Sequence, residues 1–68
     1  MRFFELIDDL GISFYRWDED AQILYFWNEV DRQWDNSTFS DPEEIRTYVR
    51  DLQAFPASVQ EVTEDDVR

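Results

Sequence analysis

The densest run of chemistry-bearing side chains in this sequence is Asp18-Glu19-Asp20. Three consecutive carboxylates could ligate a cation or present a block of negative charge. A calcium loop, however, spaces its acids at alternate positions and bends at a glycine, and neither feature is present. A solvated hairpin turn accounts for the run more simply, so no metal is assigned. Composition removes most other chemistry. The chain has no His and no Cys, and all six of its cations are Arg. Nucleophilic triads therefore lack their base, and zinc sites lack their usual ligands. A pair of carboxylates can hydrolyse glycosides, but that needs a cleft, which 68 residues hardly enclose. No catalytic residue and no cofactor is expected.

What remains is recognition. Seventeen acids against six cations give a formal charge of −11, and three Trp, three Tyr and six Phe make the chain 18% aromatic. Such an acidic excess repels DNA, RNA and anionic lipid, and its natural partner is a basic protein surface. Trp and Tyr beside acids suit Arg and Lys, through charge pairing and stacking. The candidate partner-binding residues are the acids Asp18, Glu19, Asp20, Asp41, Glu43, Glu44, Glu29 and Asp31, with Trp17, Trp27 and Trp34 beside them. Leu, Ile, Val and Phe supply 19 of the 68 residues, above the rough 20% line for disordered chains, so a folded domain is expected. No stretch is apolar for the roughly 20 residues of a membrane span. Acids also stand near the N-terminus, where a signal peptide would be apolar, and a cytoplasmic location is expected.

Elements must position these side chains. Phe3, Leu6, Ile7 and Leu10 recur at helical spacing and predict a short helix over Arg2–Leu10, capped by Gly11. Ile12–Trp17 and Gln22–Trp27 are dense in β-branched and aromatic residues and predict two strands of a hairpin. Pairing Asp18 with Ala21 places Ser13, Tyr15, Trp17, Gln22, Leu24 and Phe26 on one face. Ile12, Phe14, Arg16, Ile23, Tyr25 and Trp27 fall on the other. Gln33–Phe39 predicts a third strand after a turn over Asn28–Gln33. Ser40-Asp41-Pro42-Glu43 matches a capping box and opens a helix over 42–55, with Ile45, Tyr48, Val49, Leu52 and Phe55 as its apolar stripe. Ser58–Thr63 alternates weakly and could form an edge strand. The expected fold class is α+β, in the order α-β-β-β-α, as a single domain over 1–63 with an acidic C-terminal tail over 64–68. Trp17-Asp18-Glu19, Trp27-Asn28-Glu29 and Trp34-Asp35-Asn36 echo one another where strands meet turns.

In that layout the first turn (Asp18, Glu19, Asp20) lies near the start of the long helix (Asp41, Glu43, Glu44). The second turn (Glu29, Asp31) lies near the end of the first helix (Asp8, Asp9). Two acidic clusters at opposite ends of the sheet are expected, the first without a compensating Arg nearby. Both sheet faces carry large aromatics, so part of this set is expected to remain exposed as an interface.

In size, charge and element order the chain resembles the small acidic inhibitors made by phages, the anti-CRISPR and DNA-mimic proteins. Asp18-Glu19-Asp20, Asp41-Pro42-Glu43-Glu44, Glu64-Asp65-Asp66 and the aromatic sheet carry that resemblance. It implies a non-enzymatic inhibitor that occupies the basic nucleic-acid-binding surface of a larger protein, such as a CRISPR effector subunit or another nuclease. Two other readings fit the same composition. One is an immunity protein or antitoxin that neutralises a basic toxin. The other is an acidic, salt-adapted structural or housekeeping subunit that forms a homodimer through its aromatic face.

Overall fold

The chain begins with a strand. The computed structural model describes residues 1–36, 39 and 41–67. In it β1 (Arg2–Asp8), β2 (Gly11–Asp18), β3 (Ile23–Asn28) and β4 (Gln33–Asn36) are followed by a helix, α1 (Pro42–Gln53), and then by β5 (Val59–Val62) and a 3₁₀ turn over Glu64–Val67. The strands form one sheet in the order β4-β3-β2-β1-β5, antiparallel throughout. The fold is thus β-β-β-β-α-β, and the expected N-terminal helix is not formed. Arg2–Asp8 lies between β2 and β5 and meets apolar neighbours on both faces. Phe4 and Leu6 pack toward α1, while the Phe3 ring meets Trp34 on the opposite face. A strand covered on both sides loses the period-2 signature, and its apolar residues happened to fall at helical spacing. Gly11 does not cap a helix. It sits at φ +123° opposite Asp8, across a turn in which the Leu10 N–H donates to Asp8 Oδ1 at 2.9 Å.

The β2–β3 hairpin forms with the expected faces but another register. Trp17 pairs with Leu24 and Asp18 with Ile23, a shift of two residues from the Asp18–Ala21 pairing. An even shift keeps every side chain on its face. Tyr15, Trp17 and Leu24 accordingly join Phe4, Val49, Leu52 and Val59 in or around the core beneath α1. The helix starts at Asp41, whose Oδ1 accepts from the Glu43 N–H at 2.9 Å; the expected Ser40 cap lies outside the described residues. It ends two residues earlier than expected. Phe55 turns left-handed at φ 52° just before Pro56, and its ring, 6.2 Å from Phe4, is 45% exposed. β5 then closes the sheet beside β1, tied by the Arg2–Glu61 pair at 2.9 Å.

The face away from α1 is a second aromatic cluster. Phe3 and Trp34 come from strands three places apart, roughly 14 Å in a flat sheet, yet their rings lie 5.8 Å apart. The sheet is therefore coiled about this face, and the two rings lean in over Arg16. The Arg16 guanidinium stacks on Tyr25 at 4.2 Å and on Trp34 at 5.2 Å. Its Nε is buried with no hydrogen-bond partner among the described residues, so attraction to the ring faces is what compensates that burial. Val67 is buried too. The expected acidic tail thus begins as an ordered turn, and Val67 and Glu64 line a groove with Trp27, Arg32 and Trp34.

Candidate functional site

Two loops of one design carry half of the candidate acids. β2 ends in Asp18 and β3 in Asn28, each followed by a four-residue loop before the next strand. The Asp18 side chain accepts from the Ala21 N–H at 3.1 Å. Asn28 Oδ1 accepts from the Val30 and Asp31 N–H groups, both at 3.0 Å. The fourth loop residue, Gln22 or Arg32, is left-handed at φ 56° or 53°. The first two Trp-Asx-Glu echoes are this shared turn, in which the Asx side chain satisfies loop N–H groups. The third, Trp34-Asp35-Asn36, lies within β4.

The surroundings of the two loops differ. The β2–β3 loop does lie at the end of the sheet where α1 begins, since Gln22, Ile23 and Ile45 line one groove. Arginines also reach this end. Glu19 lines a groove with Arg46 and Arg50, and its charge is felt by Arg2. The expected cluster of Asp18, Glu19, Asp20, Asp41, Glu43 and Glu44 is therefore not free of compensating cations. The reason is helical geometry: Arg46, Arg50 and Gln53 share one flank of α1, and Glu44, Tyr48 and Asp51 share the other.

The acidic flank carries the larger concentration of charge. Asp41, Glu43, Glu44 and Asp51 line an open groove with Phe39, Thr47 and Tyr48, and no Arg is among its described lining. The Tyr48 ring lies 5.1 Å from Phe39 and 5.5 Å from Tyr15, and its hydroxyl donates to the Tyr15 hydroxyl at 3.1 Å. Burial, then the Tyr15 hydrogen bond, then the negative fields of Tyr15 and Asp8 push the Tyr48 phenol well above its ordinary value. The tyrosine is held neutral at the foot of an acidic groove.

Asp8, Asp9, Glu29 and Asp31 lie at the opposite end, where the antiparallel order places both the β1–β2 and the β3–β4 turns. Glu29 accepts from the Trp27 indole at 2.8 Å, which fixes that ring, and Trp27 packs edge-on against Trp34 at 5.3 Å. Both rings are half-buried on the coiled face. Trp17 is different: at 4% exposure it belongs to the core and has no surface to offer a partner.

Sequence reasoning treated Tyr48 only as core and passed over Phe39 and Asp51 as site residues. The i, i+3, i+7 spacing of Glu44, Thr47 and Asp51 could have revealed the acidic flank; nothing local could have placed Phe39 beside it. Among the described residues no group of acids is arranged to hold a metal ion, and no helix is long and apolar enough to cross a membrane. Comparison with family models, with curated proteins and with solved structures finds no match.

Proposed function

We propose that this protein is a non-enzymatic inhibitor that occupies a basic nucleic-acid-binding surface of a larger protein, of which a CRISPR effector subunit or another nuclease is the leading example. The observation that carries this reading is the groove of Asp41, Glu43, Glu44 and Asp51 around Phe39 and Tyr48, on a chain of net charge −11. Nucleic-acid channels combine Arg and Lys that track the backbone with aromatic platforms for the bases. Carboxylates at the rim would take the places of phosphates, and the Phe39 and Tyr48 rings would meet the aliphatic stems and guanidinium planes of the same cations. Charge complementarity of this kind speeds encounter and sets salt dependence more than it sets final affinity.

The triple variant Asp41→Asn, Glu43→Gln, Glu44→Gln tests it. Asn keeps the helix cap, so the fold should survive. Association with a basic partner captured from a host lysate should slow several-fold at low salt, and the difference should shrink as salt rises. Unchanged association by the folded triple variant would remove the groove from the mechanism.

A further inference from the structure

Between β2 and β3 the sheet opens. Their ladder runs from Asp18↔Ile23 to Tyr15↔Phe26 and stops. Each strand nonetheless continues: β2 pairs with β1 as far as Gly11, and β3 pairs with β4 as far as Asn28. The β1–β2 and β3–β4 hairpins therefore part like the two prongs of a fork. The crotch is lined by Ser13, Phe14, Tyr15, Phe26 and Trp27, with Phe39 and Tyr48 at its side. At the prong tips stand Leu10, 98% exposed, and Val30, 91% exposed. Ile7 and Ile12, a cross-strand pair on the first prong, are also more than half exposed. Four of the most exposed large apolar side chains thus lie on the prongs, and the same turns carry Asp8, Asp9, Glu29 and Asp31.

Leu10 and Val30 at the tips, with Ile7 and Ile12 behind the first, make apolar surface that the fold itself does not cover. Apolar tips ringed by acids match a partner surface that is apolar and rimmed by cations. An aromatic crotch that shares Phe39 and Tyr48 with a carboxylate groove matches an arginine side chain, whose planar guanidinium stacks on rings while its charge pairs with acids. We propose that the fork is a docking site for an arginine-bearing segment of a partner protein, with arginine seated in the crotch between β2 and β3 and Leu10 and Val30 packed on apolar side chains beside it. This rests on the reading above in taking the partner to be a basic protein, and it moves the centre of contact from the α1 groove to the parted hairpins.

The test is a titration of the isotope-labelled full chain, followed residue by residue by NMR. The probe is a short peptide of arginine and leucine, with a peptide of serine and leucine as its control. The arginine peptide should shift the amide signals of Phe14, Trp27 and Tyr48 and of both prong tips, and the control should not. The Leu10→Ser/Val30→Ser variant changes only exposed side chains, so it should fold as wild type does. It should bind the arginine peptide about tenfold more weakly, as loss of two apolar anchors implies. Shifts confined to Asp41, Glu43, Glu44 and Asp51, or unaltered affinity of the tip variant, would overturn the fork while leaving the acidic groove standing. No binding of the arginine peptide even at low salt would overturn both. Shifts at the fork on addition of single-stranded DNA in place of the peptide would assign it to nucleic acid and overturn the proposal.

Discussion

The two ends of the sheet carry turns of nearly the same make-up and meet different neighbours. At the β2–β3 end Glu19 shares its groove with Arg46 and Arg50, and Arg2 feels its charge. At the other end Asp8, Asp9, Glu29 and Asp31 surround the exposed tips Leu10 and Val30. Arg32, the described arginine of those loops, lines the groove of Trp27, Trp34 and Glu64 on the coiled face. The β2–β3 loop thus has arginines near its Glu19, while the turns at the opposite end present carboxylates and apolar groups together. Acidity by itself does not separate the two ends; what separates them is whether arginines or exposed aliphatic side chains stand beside the acids.

The largest effect comes from breaking the frame that holds both ends. Leu52 is 4% exposed in the core beneath α1, and Leu52→Ala should cost about 2–5 kcal/mol. Chemical denaturation should show the variant largely unfolded or with its midpoint sharply lowered. A midpoint equal to wild type would mean that α1 is not held to the sheet by this face, and the grooves on both its flanks would fall with it.

That helix was legible in the sequence because its signals are local: Asp41 before Pro42, acids in the first turn, and an apolar stripe through Ile45, Val49 and Leu52. The faces of β2 and β3 were legible for the same reason, since alternation survives a two-residue slip of register. β1 was not. It pairs along its whole length with the adjacent β2, but Phe4 and Leu6 pack toward α1 while Phe3 meets Trp34 on the other face, so the alternation that announces a strand is missing. The site was legible as composition and not as arrangement. The acids were visible, but which of them meet arginine depends on the flank of α1 turned to each end. The fork depends on where a ladder stops, which no residue in β2 or β3 announces by itself.

A smaller effect sharpens the contrast between the flanks of α1. Tyr48 sits on the acidic flank with its phenol held well above the ordinary value by burial and by the Tyr15 hydrogen bond. A group whose folded pKa is raised contributes stability below its unfolded pKa and loses it as pH rises. Stability should therefore fall above about pH 10, where the unfolded chain ionises and the folded Tyr48 does not. Tyr48→Phe should cost roughly 0.5–1.5 kcal/mol near neutral pH through the lost hydrogen bond and should show a shallower alkaline limb. An identical alkaline limb in both proteins, followed by thermal melts across pH, would place Tyr48 outside this environment.

The smallest effect reads the two ends directly. Glu19→Gln removes a carboxylate that faces arginines and should lower the melting temperature slightly. Asp9→Asn removes one that follows Asp8 in an exposed turn and should raise it slightly. Each change should stay within about 0.5 kcal/mol, as surface substitutions do, and the gap between them should close as salt approaches 1 M, where the Debye length is about 3 Å. Equal shifts of the same sign would erase the distinction between the ends.

We propose above that the protein takes the place of nucleic acid on a basic partner; the decisive question is whether a captured partner can hold both at once. With the partner, a labelled nucleic acid ligand of that partner and increasing amounts of this protein, the labelled nucleic acid should be displaced in proportion to the protein bound, and partner already saturated with nucleic acid should fail to capture the protein. A stable ternary complex, with protein and nucleic acid bound to one partner at undiminished affinity, would contradict it.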